Sequence, residues 1–172
     1  MALLAAGLLM NVVSAYGAEF GHFITVYRFY NTRTGAHLYT TDAREYAALA
    51  NIRAFRSEGL AYVMWSVLAT TPLHRFYNFR TGVHFYSADP DEVARVRQTM
   101  AGTYRYEGVS YNVGTIGIPI HRFLNVRTGV HFYSADAAEV ESVKTNLSAI
   151  YHYEGIAFYA PQYEEIPTPG PS

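Results

Sequence analysis

The chain states one pattern three times. The segments YRFYNTRTGAHLYTTD from Tyr27, HRFYNFRTGVHFYSAD from His74 and HRFLNVRTGVHFYSAD from His121 align without gaps, and Arg28, Arg75 and Arg122 stand 47 residues apart. A second block follows each: FRSEGLAY from Phe55, YRYEGVSY from Tyr104 and YHYEGIAF from Tyr151. Glu58 to Glu107 is 49 residues and Glu107 to Glu154 is 47, so the first copy is shorter by two residues between its blocks. A fixed period of this length marks a supersecondary unit that cannot bury its apolar face alone and must pack on its neighbours. The copies run approximately over 26–72, 73–119 and 120–160, and together form one domain spanning 26–159.

Within each copy the elements can be read in turn. Arg-Phe-Tyr-Asn and Val-His-Phe-Tyr-Ser are short aromatic strands, with Arg-Thr-Gly as hairpin punctuation. Gly35, Gly82 and Gly129 are expected at positive φ, as in a type I turn closed by a G1 bulge. A helix follows, with Asp42, Asp89 and Asp136 at the N-cap and Glu45, Glu92 and Glu139 three residues on, the Asp-x-x-Glu pattern of a capping box. Pro90 suits a first helical turn, and Val93, Val96, Met100 and Val140, Val143, Leu147 mark one buried helical face. The final strand alternates aromatic residues but is broken at its Gly, the sign of a bulge or tight bend.

A linear stack of three such units would need polar, atypical end repeats, yet all three copies carry the same pattern. The expected fold is therefore α+β, with three internal repeats closed into a pseudo-threefold, propeller-like ring. A β-trefoil is the alternative, although a helix with its own cap fits that fold poorly.

Composition narrows the function classes. A net charge of −1 without basic blocks argues against a nucleic-acid partner. The absence of cysteine removes disulfides, zinc-thiolate sites and a thiol nucleophile. With 16 Tyr and 10 Phe against one Trp, the aromatic content suits half-buried strands and wet concave surfaces alike. Residues 1–18 combine an apolar core with small residues at Ala15, Gly17 and Ala18, the pattern of a secretory signal peptide lacking its basic start; a short buried helix is the other reading. No segment reaches membrane-spanning length, and the Pro-rich stretch 161–172 reads as a disordered tail. A secreted or periplasmic location follows from the leader pattern.

The signature Arg-Phe-Tyr-Asn-x-x-Thr-Gly-x-His-Phe-Tyr-(Ser/Thr), followed by Tyr-Glu-Gly-x-x-(Phe/Tyr), resembles the repeat of a family of uncharacterised domains in secreted bacterial and some fungal proteins. The resemblance covers Val26 to Tyr159. Copy one departs with Leu38 for Phe and with Phe55-Arg56-Ser57, and copy three with Leu124 for Tyr. It implies secretion and an accessory or surface-binding role, often beside a hydrolase or peptidase domain, and carries no catalytic residues.

The residues that remain as candidate chemistry also come in threes. His37, His84 and His131 lie on a strand with Tyr39, Tyr86 and Tyr133 two residues on, and alternation places each pair on one face with Leu38, Phe85 and Phe132 on the other. Three imidazoles about a threefold axis are one route to a zinc site; local hydrogen bonding and a ligand pocket are the others, and neither metal nor cofactor is assigned. The Arg pairs 28/33, 75/80 and 122/127 together with Glu58, Glu107 and Glu154 can pair within or between copies, bridging the repeats. They can equally recognise sugar hydroxyls or carboxylates, helped by Asn31, Asn78 and Asn125 and the tyrosine faces. The candidate ligand-binding set is thus His37, His84, His131, Tyr39, Tyr86, Tyr133, Arg33, Arg80, Arg127, Asn31, Asn78, Asn125, Glu58, Glu107 and Glu154. No Ser-centred elbow, His-Glu-x-x-His or phosphate loop is present. The expected function is a non-catalytic, lectin-like module binding carbohydrate or a cell-surface glycan at up to three equivalent sites, with a structural or protein-interaction module serving a partner hydrolase as the alternative.

Overall fold

The computed structural model describes residues 21–162. The leader pattern at 1–18 and residues 163–172 lie outside them. Repeat 1 contributes β1 (Phe23–Asn31), β2 (Ala36–Thr40), α1 (Ala43–Ala50) and β3 (Phe55–Trp65). Repeat 2 contributes β4 (Thr71–Asn78), β5 (Val83–Ser87), α2 (Pro90–Thr99) and β6 (Tyr104–Val113). Repeat 3 contributes β7 (Ile118–Asn125), β8 (Val130–Ser134), α3 (Ala137–Asn146) and β9 (Tyr151–Ala160). Each repeat forms its own three-stranded antiparallel sheet, in the orders β2-β1-β3, β5-β4-β6 and β8-β7-β9. The result is a threefold-repeated, mostly β fold whose three sheets stay separate and do not close into one barrel.

The hairpins take their shape from Asn and Gly. Asn31 Oδ1 accepts the Arg33 N–H at 3.0 Å, and Gly35, at φ +69°, donates its N–H to the Asn31 carbonyl at 2.8 Å. The pairing Asn31↔Ala36 leaves four residues in the connection, a longer loop than a type I turn with a G1 bulge requires. Asn78 with Gly82 and Asn125 with Gly129 repeat the arrangement.

Each helix starts at its expected aspartate: Asp42 Oδ1 accepts from the N–H groups of Arg44 and Glu45 at 2.7 and 2.9 Å. The reciprocal half of the capping box is replaced. Asp89 N–H donates to Ser87 Oγ, and the Ser87 hydroxyl donates to Glu92 Oε2 at 2.7 Å; Ser134 links Asp136 to Glu139 in the same way. Thr40 supplies the cap hydroxyl in repeat 1. The serine thus takes over the capping duty, and the glutamate carboxylate is left able to reach beyond its own helix. Val93, Val96, Val140 and Val143 are buried against the sheets, whereas Met100 and Leu147 sit at the helix C-caps and are more than a third exposed. The apolar helical face is therefore one turn shorter than the sequence spacing predicts.

Two bulges shape the last strand of every repeat. In β3, Arg28 faces Gly59 and Phe29 faces Ser57, which leaves Glu58 unpaired; Val26 faces Tyr62 and Tyr27 faces Leu60, which leaves out Ala61. Glu107 and Ser110 in β6, and Glu154 and Ala157 in β9, are skipped identically. A bulge re-aims the side chain it carries, and the glutamates and small residues so displaced all lie at the repeat boundaries.

The shared core joins equivalent residues from all three copies: Val26, Leu73 and Ile120; Met64, Val113 and Ala160; Tyr62, Tyr111 and Phe158; and Tyr39, Tyr86 and Tyr133. The last trio is hydrogen-bonded in a cycle. Tyr39 donates its hydroxyl to the Tyr133 carbonyl at 2.6 Å, Tyr133 to the Tyr86 carbonyl at 2.6 Å, and Tyr86 to the Tyr39 carbonyl at 3.1 Å. Each hydroxyl also accepts the N–H of the same residue it donates to, at 3.1–3.2 Å. Ring centroids within the trio lie 5.7–5.9 Å apart at nearly perpendicular angles, the edge-to-face geometry aromatic quadrupoles favour. At the chain's end, Pro161 is buried and accepts the Trp65 N–H at 2.8 Å, and Gln162 donates to Val63, so the first two residues of the expected tail are held against β3.

The cycle has measurable consequences. Tyr86→Phe strands a buried carbonyl and a buried N–H of Tyr39, and is expected to lower unfolding free energy by about 2–4 kcal/mol, read from urea denaturation. Burial pushes the hydroxyls of Tyr39, Tyr62, Tyr86, Tyr111 and Tyr133 above the ordinary tyrosine range. The unfolded chain therefore loses these protons first, so stability is intact below about pH 10 and falls as pH rises beyond it. Denaturation midpoints measured from pH 8 to 11.5 check this, and a flat profile above pH 10 contradicts it.

Candidate functional site

Arg28, Arg75 and Arg122 lie on the central strands β1, β4 and β7, each cross-strand from a core tyrosine on one side and the bulge glycine on the other. That register brings the bulged glutamate of the same repeat to the arginine. Arg28 Nε is 2.9 Å from Glu58 Oε2, Arg75 Nε 3.0 Å from Glu107 Oε2, and Arg122 Nε 2.8 Å from Glu154 Oε2. The histidine joins from the other neighbouring strand: Nε2 of His37, His84 and His131 stands 3.2 Å from the same Glu Oε2 in each case.

The far side of each guanidinium meets the helix glutamate of the preceding repeat. Arg75 Nη1 donates to Glu45 Oε1 and Oε2 at 2.8 and 2.9 Å, and Arg122 to Glu92 through Nη1 at 2.7 Å and Nη2 at 3.3 Å. Arg28 donates to Glu139 through Nη1 at 2.9 Å and Nη2 at 3.4 Å, so repeat 1 is tied to repeat 3. The order at every boundary is helix Glu, Arg, strand Glu, His. The arginine side chains are 17–21% exposed, so these pairs are partly desolvated and stronger than surface pairs. Among the described residues Glu58 Oε2 and Glu107 Oε2 are shut off from solvent and receive no aligned hydrogen bond; the arginine holds them by charge, and the histidine Nε2 packs against them. Packing reinforces the joints: the His37 and His131 rings lie 5.2 and 4.8 Å from Phe132 and Phe85 of the preceding copy, where repeat 1 has Leu38.

A cleft opens beside each arginine. The cleft between repeats 1 and 2, at Arg75, Glu45 and Glu107, has a volume of about 390 Å³. The one between repeats 3 and 1, at Arg28 and Glu139, has about 240 Å³, and the one between repeats 2 and 3, at Arg122, Glu92 and Glu154, about 170 Å³. The residue after each bulge glycine, Leu60, Val109 or Ile156, stands exposed at the mouth.

The residues expected to bind ligand are distributed unevenly over this geometry. Glu107 and Glu154 line their clefts, whereas Glu58 meets Arg28 without lining the third; His37, His84 and His131 each stand against the glutamate of their own copy. Tyr39, Tyr86 and Tyr133 are at most 2% exposed, with their hydroxyls spent on main chain. Arg33, Arg80 and Arg127 are exposed at the hairpin tips, away from the clefts, and Asn31, Asn78 and Asn125 hold those hairpins in shape. Sequence reasoning missed Glu45, Glu92 and Glu139 as boundary residues by assigning them to capping; the Ser or Thr two residues before each N-cap aspartate was the available signal. Among the described residues, no group of three or more His, Asp or Glu is placed to hold a metal ion, and no helix is long and apolar enough to cross a membrane.

Residues 25–163 match a family model described as Domain of unknown function (DUF5648). The chain belongs to this family. Comparison with curated proteins and with solved structures gives no match. The matched span of this DUF5648 chain takes in all three boundaries.

Electrostatics fix the protonation of the boundary groups. Burial pushes Glu107 up, but the Arg105 hydrogen bond and the charges of His84 and Arg75 outweigh it, so its pKa lies below the ordinary carboxylate value. The His131 hydrogen bond, aided by Arg122 and opposed by burial, lowers Glu154 likewise. Burial, then the neighbouring guanidinium, lowers His37 and His84. Both kinds of shift make the folded state bind fewer protons than the unfolded chain under acid conditions. Stability is thus expected to decline as pH falls below about 6.5, where unfolded histidine protonates, and again below about 4.5, where unfolded glutamate does. Urea midpoints between pH 3 and 8 test this; Glu107→Gln should make the lower window shallower, with Glu154 still contributing, and deepen the histidine window, because His84 loses the carboxylate that favours its protonation.

Proposed function

We propose that the chain is a secreted, non-catalytic binding module of the lectin type, built as a three-bladed, propeller-like ring whose ligand sites are the clefts between blades. The cyclic tyrosine bonds and the Arg28–Glu139 joint support ring closure, and three unconnected sheets fit separate blades better than the barrel of a trefoil. The observation that carries the functional reading is the cleft beside each arginine. Fixed guanidinium donors and carboxylate acceptors stand together there, next to an exposed apolar residue. Sugar hydroxyls both donate and accept, and sugar C–H faces pack on apolar side chains, so this combination suits carbohydrate on a cell surface or wall. Glu107 and Glu154 are held ionised, which favours accepting hydrogen bonds and disfavours the proton-donor role glycoside hydrolysis needs.

The clefts are small, and a single one would grip a ligand weakly. Presentation of several modules or sites on one polymer raises avidity without new contacts. A secreted or periplasmic setting, in bacterial or fungal proteins, rests on the leader pattern and the family resemblance. The exposed Leu60, Val109 and Ile156 also favour a second reading, a protein-interaction module that positions a partner hydrolase. A glycan array probed with the pure chain separates the two: retention on neutral or wall polysaccharides is expected, and failure to bind any glycan class sinks the lectin reading.

A further inference from the structure

The three clefts share a floor but not their walls. At the boundary of repeats 1 and 2, the two positions flanking the opening are Thr41 and Ser110. The equivalent positions are Ala135 and Ala61 at the 3–1 boundary, and Ala88 and Ala157 at the 2–3 boundary. The hydroxyls of Thr41 and Ser110 are partly exposed and make no hydrogen bond within the described residues, so both remain available to a ligand. Ser110 reaches the opening because it is the second bulged residue of β6. Arg44, exposed on α1, adds a guanidinium where α2 has Asp91 and α3 has Ala138. This cleft is also the largest of the three, at about 390 Å³ against about 240 and 170 Å³.

The same opening adjoins a second hollow. Thr41 lines both, and the further one, of about 400 Å³, is walled by Ile24, Tyr27 and Tyr111, the residue following Ser110. A polar cleft and a more apolar, aromatic-walled one therefore meet at Thr41. Asp42, Glu45 and Glu107 outnumber Arg44 and Arg75 in the polar part, and Arg75 is already engaged by two carboxylates. A polyanion is thus opposed at this site, whereas a neutral polyol finds free hydroxyls, carboxylate acceptors and a guanidinium donor.

We infer that the 1–2 boundary is the single specific ligand site of the chain, and that it takes a neutral oligosaccharide, one sugar hydrogen-bonded to Thr41, Ser110 and Arg44 and its neighbour packed on the Tyr27 wall. The inference rests on the lectin reading and narrows it from three equivalent clefts to one. The Arg28 and Arg122 clefts are then joints of the scaffold.

The test uses the full chain, with affinity electrophoresis through gels containing a soluble neutral glucan, a neutral mannan or polygalacturonate, and calorimetry with oligosaccharides of the retaining polymer. Retardation by a neutral polysaccharide and one site per chain are expected. The double variant Thr41→Ala/Ser110→Ala should weaken binding about tenfold or more, as loss of two hydrogen bonds implies. It installs the residues already present at the other two boundaries, so it should fold, and an unchanged thermal midpoint checks that. Should the double variant unfold, Ser110→Ala alone replaces it, with a weakening of about threefold expected. Three sites per chain, undiminished binding by the variant, or retention by polygalacturonate alone overturns the inference while leaving the lectin reading standing. Absence of retention in all gels removes the lectin reading and this inference with it.

Discussion

The hydrogen-bond cycle through Tyr39, Tyr86 and Tyr133 is the constraint on which the other contacts depend. Each sheet ends on its inner side in a short strand, β2, β5 or β8, whose outer main-chain groups face the centre. Buried, unpaired N–H and C=O groups are costly, and among the described residues no further strand pairs them. The tyrosine hydroxyl answers both needs at once, donating to a carbonyl and accepting the N–H of the same neighbouring residue. A three-stranded sheet with one helix is a marginal unit by itself. Because each tyrosine completes another repeat's inner strand, no copy can satisfy its centre alone, and the three must fold as one body.

The arginine joints apply the same logic further from the centre. Each copy gives an arginine and a bulged glutamate to one boundary, and a helix glutamate to the next. The helix glutamate is released for this by the serine hydroxyl, which caps the aspartate N–H in its place. The bulge is equally necessary: in regular pairing Glu58, Glu107 and Glu154 would take their turn in the alternation, and the arginine would lack its second carboxylate. Clefts form where two copies meet around such a rigid ion cluster and cannot close over it, since desolvating the carboxylates further would cost more than packing returns.

Much of this was legible in the chain. The period, the hairpin glycines, the aspartate caps and the break at Gly59, Gly108 and Gly155 are local signals, each set by backbone conformation or by a side chain acting within a few residues. The pairing of Arg75 with Glu45 was not legible, because it depends on which copy's helix start faces which copy's central strand. The tyrosines were misplaced for a related reason. Alternation correctly set His37 and Tyr39 on one face, but burial at a three-way junction depends on the other two copies. Arg33, Arg80 and Arg127 looked like site residues because they recur; their recurrence accompanies a hairpin, and their side chains point to solvent.

Recurrence and function part company in a chain of this kind. A threefold scaffold must place equivalent residues at equivalent joints, so a residue kept in all three copies is explained first by the joint it serves. His, Tyr, Arg and both glutamates all meet that description. Information about a ligand is carried more plainly by the departures. Thr41 and Ser110 depart from alanine on opposite sides of one boundary, in two different copies, and neither hydroxyl has a hydrogen-bond partner among the described residues. A hydroxyl that caps no helix and bridges no strand contributes little to stability over alanine. Two such hydroxyls lining the largest of the three boundary clefts are what the proposed single ligand site rests on.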